Sequence, residues 1–478
     1  MGQPIKKYIL FALGLVISFY VIFLSFHIVQ ILADSRALST ALRTENNPEF
    51  LREKVSKVQR DKSKIFSSLN IPGVRNILQL SGLNFNPISK ELDASLDLLT
   101  LSSARAKSSL FLVSFQNSAE ARGTGGILGA YAIIQINHGQ VKVVATGSNA
   151  KLKWSKELPI DMPLEFKSLY GKNPAIWQNS NLSPHFPYGA QIYSALWNNE
   201  FGQQIDGVIA VDPEGLSRIL KATGPLKLPS GEKIDSGNLV YKTLSEAYVT
   251  YAKDNMARKE YLVSIMRTTI EKLQSGRFSK LELAKAIRDD ILENRILIYS
   301  ANSEVEKKLA STRLGGDLRR NAKDEYRAVI ENTDGSKLDY YLNRSVRILS
   351  TGCQVPRQTR VEVSVENSVT NAKKLPDYVL TRADKGKPKN LITGQHRFKL
   401  FIYGPANSKL LSASRSSSNG PAGGGAMELG RPLLASDVDL APGKSETFVA
   451  NFSGGIGKIT YYDQPLVRKT KLTVSDKC

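Results

Sequence analysis

The sequence predicts an α/β protein made of an N-terminal transmembrane helix, a mixed α/β core with a helical insertion, and a C-terminal β-sandwich (Ig-like). Three observations predict it. One unbroken apolar run covers Tyr8 to Leu32. Between residues 106 and 350, strand-length apolar runs such as Ser109–Phe115 alternate with stretches of helical periodicity. From Val361 onward, short alternating segments are separated by turn residues. The implied organisation is a cytoplasmic tail (1–7), a transmembrane helix (8–32), a helical juxtamembrane stalk (33–105), an α/β core domain (106–350) and a β-sandwich domain (351–478).

The apolar run stands directly behind Lys6 and Lys7 and meets no charge before Asp34. A helix needs roughly 20 apolar residues to cross a bilayer core of about 30 Å, so this run is long enough to span. Signal peptides have an apolar region of about 7–15 residues and a small-residue cleavage site. Here the run is longer and ends Ile31-Leu32-Ala33-Asp34, a poor match to that site. An uncleaved single-pass anchor is expected, with residues 8–32 in the lipid bilayer. The N-terminal lysines favour a cytoplasmic start, so the expected location is the cell membrane with the bulk of the chain extracytoplasmic.

Residues 35–69 carry apolar positions at helical spacing, interrupted at Pro48, and 73–101 reads helical again. Ala130–Ile136 and Val141–Thr146 are strand candidates joined through the turn signal His138-Gly139. The segment 159–187 is rich in Pro and Asn and is expected to be a long loop that lines a groove. Ala190–Trp197 reads as helix and Asp206–Asp212 as a buried strand. Pro213 then opens a helix with Leu216, Ile219 and Leu220 on its apolar side. Residues 238–309 read as mostly helical with a break at Ser275-Gly276, and 412–425 as a mobile Ser/Gly-rich loop.

The formal net charge is +21 and the pI about 9.7. Such a field attracts phosphate-rich partners. For a membrane-tethered ectodomain these are anionic lipids or envelope polymers rather than nucleic acid; a merely solvated surface is the alternative. Two cysteines are present, Cys353 and Cys478. Their spacing fits neither a metal site nor a redox motif. In an oxidising exterior a bridge between them would close a long loop and contribute up to about 5 kcal/mol. Two free thiols are the alternative.

Most catalytic signatures are missing: there is no H-E-x-x-H, C-x-x-C or G-x-S-x-G. The stretch Gln116-Asn-Ser-Ala-Glu120-Ala-Arg122-Gly-Thr124-Gly-Gly126 stands out. Its adjacent glycines expose backbone N–H groups, which suit a phosphate nest, and Arg122 adds a permanent bidentate cation. A tight strand connection with Arg122 paired to Glu120 is the second reading. In Asn181-Leu-Ser-Pro-His185-Phe-Pro-Tyr188, with Trp177 nearby, amide and aromatic side chains suit a sugar or polymer surface, or else pack over a sheet edge. His185 is a conceivable general base without a visible orienting partner. Asp206 and Asp212 bracket a strand; Asp212 reads as a helix cap.

The residues Gln116-Asn117, Glu120, Arg122, Thr124-Gly125-Gly126 and Gly129 resemble the signature Q-N-x-A-E-x-R-x-T-G-G of an uncharacterised family of bacterial single-pass surface proteins. Asn181-x-Ser-Pro-x-Phe-Pro, Asp206–Pro213, Thr223-Gly-Pro225 and Gly335–Tyr341 follow the same pattern. The order of strand, Arg-containing loop, helix and Asp206–Pro213 strand is also remotely similar to the LytR–CpsA–Psr family. That family's enzymes move polyprenyl-pyrophosphate-linked glycopolymers onto peptidoglycan with arginines on the pyrophosphate and an acidic residue on a metal. Arg122 matches the arginine of its first motif. Thr124 stands where that family has an aspartate, and its Arg-rich second motif is not evident between Ala150 and Asn181. The resemblance therefore implies anion binding ahead of metal-assisted transfer.

The leading expectation is a membrane-anchored envelope protein that binds an anionic glycopolymer or lipid-linked precursor. Its ligand residues would be Arg122, Thr124, Gly125, Gly126 and Asn181. One alternative is a phosphotransferase with Mg²⁺ on Glu120 or Asp206, and another is a purely structural surface scaffold.

Overall fold

The computed structural model describes residues 109–137, 140–319, 323–350, 356–381, 392–417, 422–455 and 457–476. The expected anchor 8–32, the stalk 33–105, the turn His138-Gly139 and both cysteines lie outside the described residues. Among the described residues no helix is long and apolar enough to cross a membrane. The described residues fall into two units, 279–288 in the first and the described parts of 103–278 and 289–478 in the second. Of the first, only 279–288 is described, where a helix (Lys280–Leu292) begins.

The second unit is a mixed α/β assembly with several sheets. Its first sheet has the order β3-β2-β1-β4-β7, built from β1 (Ser109–Arg122), β2 (Gly125–Asn137), β3 (Gln140–Ser148), β4 (Gly207–Val211) and β7 (Ile296–Ser300). β1 pairs antiparallel with β2 and parallel with β4, while β7 closes the edge antiparallel. Successive side chains of a strand point to opposite faces. Leu112 accordingly joins the core formed with α2 (Phe186–Phe201), while Phe111 and Val113 pack with Val263, Met266 and Ile270 of a long helix on the other face.

Between β4 and that helix lie α3 (Pro213–Thr223) and a two-residue hairpin, β5 (Leu226–Lys227) with β6 (Lys233–Ile234). Three short helical pieces follow, Leu239–Tyr241, the π-helical Lys242–Glu246 and Ala247–Thr250, and then the long helix α4 (Asn255–Gln274). The helix starts are locally encoded. Asp212 accepts a hydrogen bond from Gly215 N at 2.8 Å, with Pro213 at the first helical position. Asp254 accepts one from Ala257 N at 2.9 Å.

Two further five-stranded sheets, ordered β12-β15-β10-β9-β17 and β13-β14-β11-β8-β16, share one apolar core. Their strands are β8 (Glu325–Asn332), β9 (Leu342–Ser350), β10 (Gln358–Asn367), β11 (His396–Tyr403), β12 (Lys409–Arg415), β13 (Gly424–Glu428), β14 (Arg431–Leu440), β15 (Ser445–Ser453), β16 (Thr460–Asp463) and β17 (Lys471–Asp476). Val361, Val363 and Val365 of β10 face Phe398, Leu400 and Ile402 of β11 within that core. The period-2 pattern read from the sequence is thus the pattern of the inner faces.

Four details differ from the sequence expectations. The paired sheets begin at Glu325, because β8 and β9 belong to them although they precede residue 351. The segment 159–187 holds a short helix, α1 (Leu164–Tyr170), whose Phe166 and Tyr170 are buried in the same core as Trp177. The ends of 412–425 are strands β12 and β13 rather than loop, since backbone pairing with β15 and β14 holds them. The mostly helical stretch 238–309 contains strand β7, whose short run Ile296–Ser300 completes the first sheet.

Candidate functional site

β1 is 14 residues long; its second half stays paired with β2 but runs on past the end of β4, and its tip packs into the core of the paired sheets. Ala121 is part of their core, its N–H donates to Asp339 Oδ2 at 2.9 Å, and the Arg122 carbonyl accepts from Gln464 Nε2 at 2.7 Å. The Gly-rich hairpin is therefore a buried plug rather than an open nest. A Cβ on Gly123 would lie 2.0 Å from the Leu182 carbonyl, and one on Gly126 2.2 Å from the Asn117 backbone. Gly125 has φ +131°, a conformation that favours glycine.

The expected ligand residues come together here, bonded to one another. Gln116 Nε2 donates to Thr124 Oγ1 at 3.1 Å, and Asn181 Nδ2 donates to Thr124 Oγ1 at 2.8 Å and to the Gly126 carbonyl at 2.9 Å. All five donors of Arg122 are engaged. Nε reaches Gln178 O and Asn179 Oδ1, Nη1 reaches Ala121 O and Asn332 O, and Nη2 reaches Glu120 Oε1 at 2.8 Å and Asn179 Oδ1. Glu120 also accepts from Lys337 Nζ. Burial opposes the Glu120 charge, but Lys337 and Arg122 outweigh it and hold the carboxyl below its ordinary value. An anion could use Arg122 only by displacing this network, so the expectation of an open anion site at the hairpin is replaced by a fold device.

The two carboxylates considered for Mg²⁺ do not share a site. Asp206 is exposed and accepts from Leu110 N at 2.7 Å, near the opposite end of β1 from Glu120. Ten strand residues separate those ends by about 33 Å. Among the described residues no group of three metal-ligating side chains converges. His185 does have a carboxylate neighbour, with Nδ1 3.4 Å from Asp317 Oδ1, and accepts from Leu318 N at 3.1 Å. Burial pushes its pKa down to about 3 against the pull of Asp317, so the ring is neutral and tied into the fold.

A different feature emerges on the far face of the first sheet. An apolar cavity of about 680 Å³ lies between Val113, Phe115 and Ile209 of the sheet and Ile219, Ile270 and Leu273 of α3 and α4. A second cavity of about 50 Å³ continues it past Phe115, Val211 and Leu216, which line both, to Gln116, Asn117 and Leu262. Bound-ligand cavities commonly measure about 300–1,000 Å³ and are mostly apolar with a few polar groups. At this polar end, Asp212 pairs with Arg295 at 2.5 Å, and Glu214 accepts from Ser118 Oγ at 3.2 Å. Burial and the neighbouring Asp212 raise Glu214 to about 7 despite Arg295. Sequence reasoning missed this cleft; its signal was the apolar face that α4 keeps through Leu262, Met266, Ile270 and Leu273.

Residues 108–248 match the family described as "Protein of unknown function (DUF4012)". That stretch contains the hairpin, the Asn181 segment, β4 and α3, but not α4. No curated protein matches the chain. Among solved structures, the protein gbs0355 from Streptococcus agalactiae is similar at 14% identity, covering 44% of this chain and 74% of that one with a TM-score of 0.27. A likeness that low carries no argument about fold or function.

Proposed function

We propose that this is a membrane-anchored cell-envelope protein that binds an anionic, lipid-linked envelope precursor through its hydrocarbon chain. The observation that carries the reading is the apolar cleft between the first sheet and α3 and α4. Transfer of apolar surface out of water contributes about 25 cal/mol per Å², or about 0.8 kcal/mol per methylene, so a long chain in this cleft binds without any specific polar contact. The basic charge of the chain and the anchor expected at residues 8–32 fit a ligand presented at a membrane surface.

The test is binding of a long-chain polyprenol by the full chain in detergent, for the wild type and for Leu273→Trp, which narrows the mouth of the cleft. The expected result is saturable binding that falls about tenfold in the variant. Equal binding by both proteins, or none by either, overturns the reading.

A second reading, a surface scaffold without a ligand, is favoured by the completeness of the Arg122 network, in which every donor serves the fold. Absence of polyprenol binding in a correctly folded protein would leave the scaffold as the better account.

A further inference from the structure

A separate cavity of about 470 Å³ opens on the α2 side of the first sheet, the face opposite the apolar cleft. It lies where the start of α2 meets the helix Ser303–Ala310 and the turn between β13 and β14. His185, Pro187 and Tyr188, from the aromatic and amide segment that the cleft leaves unused, form one wall. Cavities that hold small molecules commonly measure about 300–1,000 Å³.

Two polar side chains that line this cavity have an unused atom, and the two are of opposite sense. His185 Nδ1 accepts from Leu318 N at 3.1 Å, so the proton of the neutral ring sits on Nε2, which makes no hydrogen bond among the described residues. Glu306 accepts from Ser300 N at 2.8 Å through Oε2, while its Oε1 is buried without a hydrogen-bond partner among the described residues. Burial lifts this carboxyl to about 7 against the pull of the Ser300 N–H, as expected of a carboxylate short of donors.

The charges around the cavity balance. Arg319 is held by Asp317, through Nε at 3.1 Å and Nη2 at 2.8 Å, and Lys307 offsets Glu306. A carboxylate or phosphate ligand would meet the Glu306 charge, and an ammonium would meet Lys307 and Arg319. Hydroxyl groups avoid both costs, because each can donate to Glu306 or accept from His185. Pro187, Tyr188 and Leu429 supply an apolar side against which the C–H face of a sugar ring packs.

We infer that this cavity binds an uncharged saccharide unit, whose hydroxyl groups accept from His185 Nε2–H and donate to Glu306. The inference goes beyond the cleft reading and does not depend on it, since no residue lines both sites.

The experiment is a saturation-transfer NMR titration on the full chain in detergent at pH 7.5. The neutral probes are glucose, N-acetylglucosamine and their β-1,4-linked disaccharides; the charged ones are glucuronic acid and 6-amino-6-deoxyglucose. The tightest neutral probe is expected to show saturable binding about fivefold or more tighter than either charged one. Ser303 lines the cavity and is exposed, so Ser303→Trp fills the opening and is expected to weaken binding about tenfold or more. Glu306→Gln keeps an acceptor for Ser300 N and is expected to weaken it about fivefold, since a hydrogen bond to a charged group is stronger than one to a neutral amide. Melting temperatures show whether each variant is folded, and if one is not, the other decides. Leu273→Trp is expected to leave sugar affinity unchanged, so loss of polyprenol binding and loss of sugar binding are separate failures. Absence of saturable binding by every neutral probe, preference for a charged probe, or unchanged affinity in both Ser303→Trp and Glu306→Gln overturns the inference. A loss in Leu273→Trp as large as that in Ser303→Trp would place the sugar in the cleft and overturn it as well.

Discussion

Arg122 and Arg258 are buried almost equally, 4% and 3% exposed, yet they sit in opposite environments. Around Arg122 every guanidinium donor meets a carbonyl, an amide oxygen or Glu120. Around Arg258 there are two tyrosine rings, one amide oxygen, another lysine, and a nitrogen with no hydrogen-bond partner among the described residues. Burial alone does not mark a binding residue; the accounting of partners does. The Arg122 cation ties distant segments together, whereas Arg258 leaves one nitrogen without a hydrogen-bond partner among the described residues.

The largest expected effect follows from that contrast. Arg122→Met removes the guanidinium from between β1, Gln178, Asn179 and Asn332, and leaves Glu120 buried with Lys337 alone. Breaking a buried, hydrogen-bonded pair costs about 3–5 kcal/mol. Arg258→Met removes a cation without an ion pair among the described residues and is expected to cost less than about 1 kcal/mol, since the lost ring contacts are offset by relief of desolvation. Denaturant unfolding of both variants checks this. Equal losses would erase the distinction between the two regions.

Next in size is the backbone of the hairpin itself. Gly123→Ala places a methyl group 2.0 Å from the Leu182 carbonyl, and the listener to that clash is main chain, which cannot swing away. Overpacking of this kind costs about 1–3 kcal/mol. Gly424→Ala is the useful control for space, since nothing lies within 4 Å of the added Cβ there and its φ is not in the left-handed region. A hairpin that tolerated Gly123→Ala with no loss of melting temperature would be open after all, as a ligand nest requires.

Much of this architecture was legible in the sequence. The β1 run, the Asp206–Asp212 strand, the Pro213 helix start and the alternating strands of the paired sheets are local patterns, written in apolar periodicity and capping residues. The Arg122 hairpin was legible as a special conformation, and its pairing with Glu120 as one of two readings. What sequence could not show is which neighbours arrive from far along the chain. Lys337, Asn332, Gln464 and Asn179 close the hairpin from positions 57 to 342 residues away. The cleft and the Arg258–Lys259 pair escaped for the same reason. A basic residue at the start of an amphipathic helix looks like any solvated lysine until Tyr248, Tyr378 and Asn149 are placed around it.

A smaller effect sharpens the comparison through pH. Lys259 has its folded pKa lowered to about 8 from an ordinary 10.5. Between those values the unfolded chain holds a proton that the folded chain has lost, so stability rises with pH through that window. Glu120 behaves in the opposite range: its folded pKa is depressed, so its contribution is present above the ordinary carboxyl pKa and is lost as pH falls through the lowered one. Comparing the wild type with Lys259→Met between pH 7.5 and 9 isolates the lysine. The expected result is a stability gain with pH in the wild type that the variant lacks.

The smallest expected effect belongs to Asp206. Its carboxylate is exposed and accepts one hydrogen bond, from Leu110 N at 2.7 Å, where β1 begins. A single hydrogen bond contributes about 0.5–1.5 kcal/mol, so Asp206→Ala should lower stability by no more than about 1.5 kcal/mol. It stands at the end of β1 remote from Glu120, and should therefore leave polyprenol affinity unchanged, with or without Mg²⁺. A loss of Mg²⁺-dependent binding in this variant would instead restore Asp206 to the site and move the functional end of the sheet to the opposite edge. Denaturant unfolding and calorimetry on the same preparation separate the two outcomes.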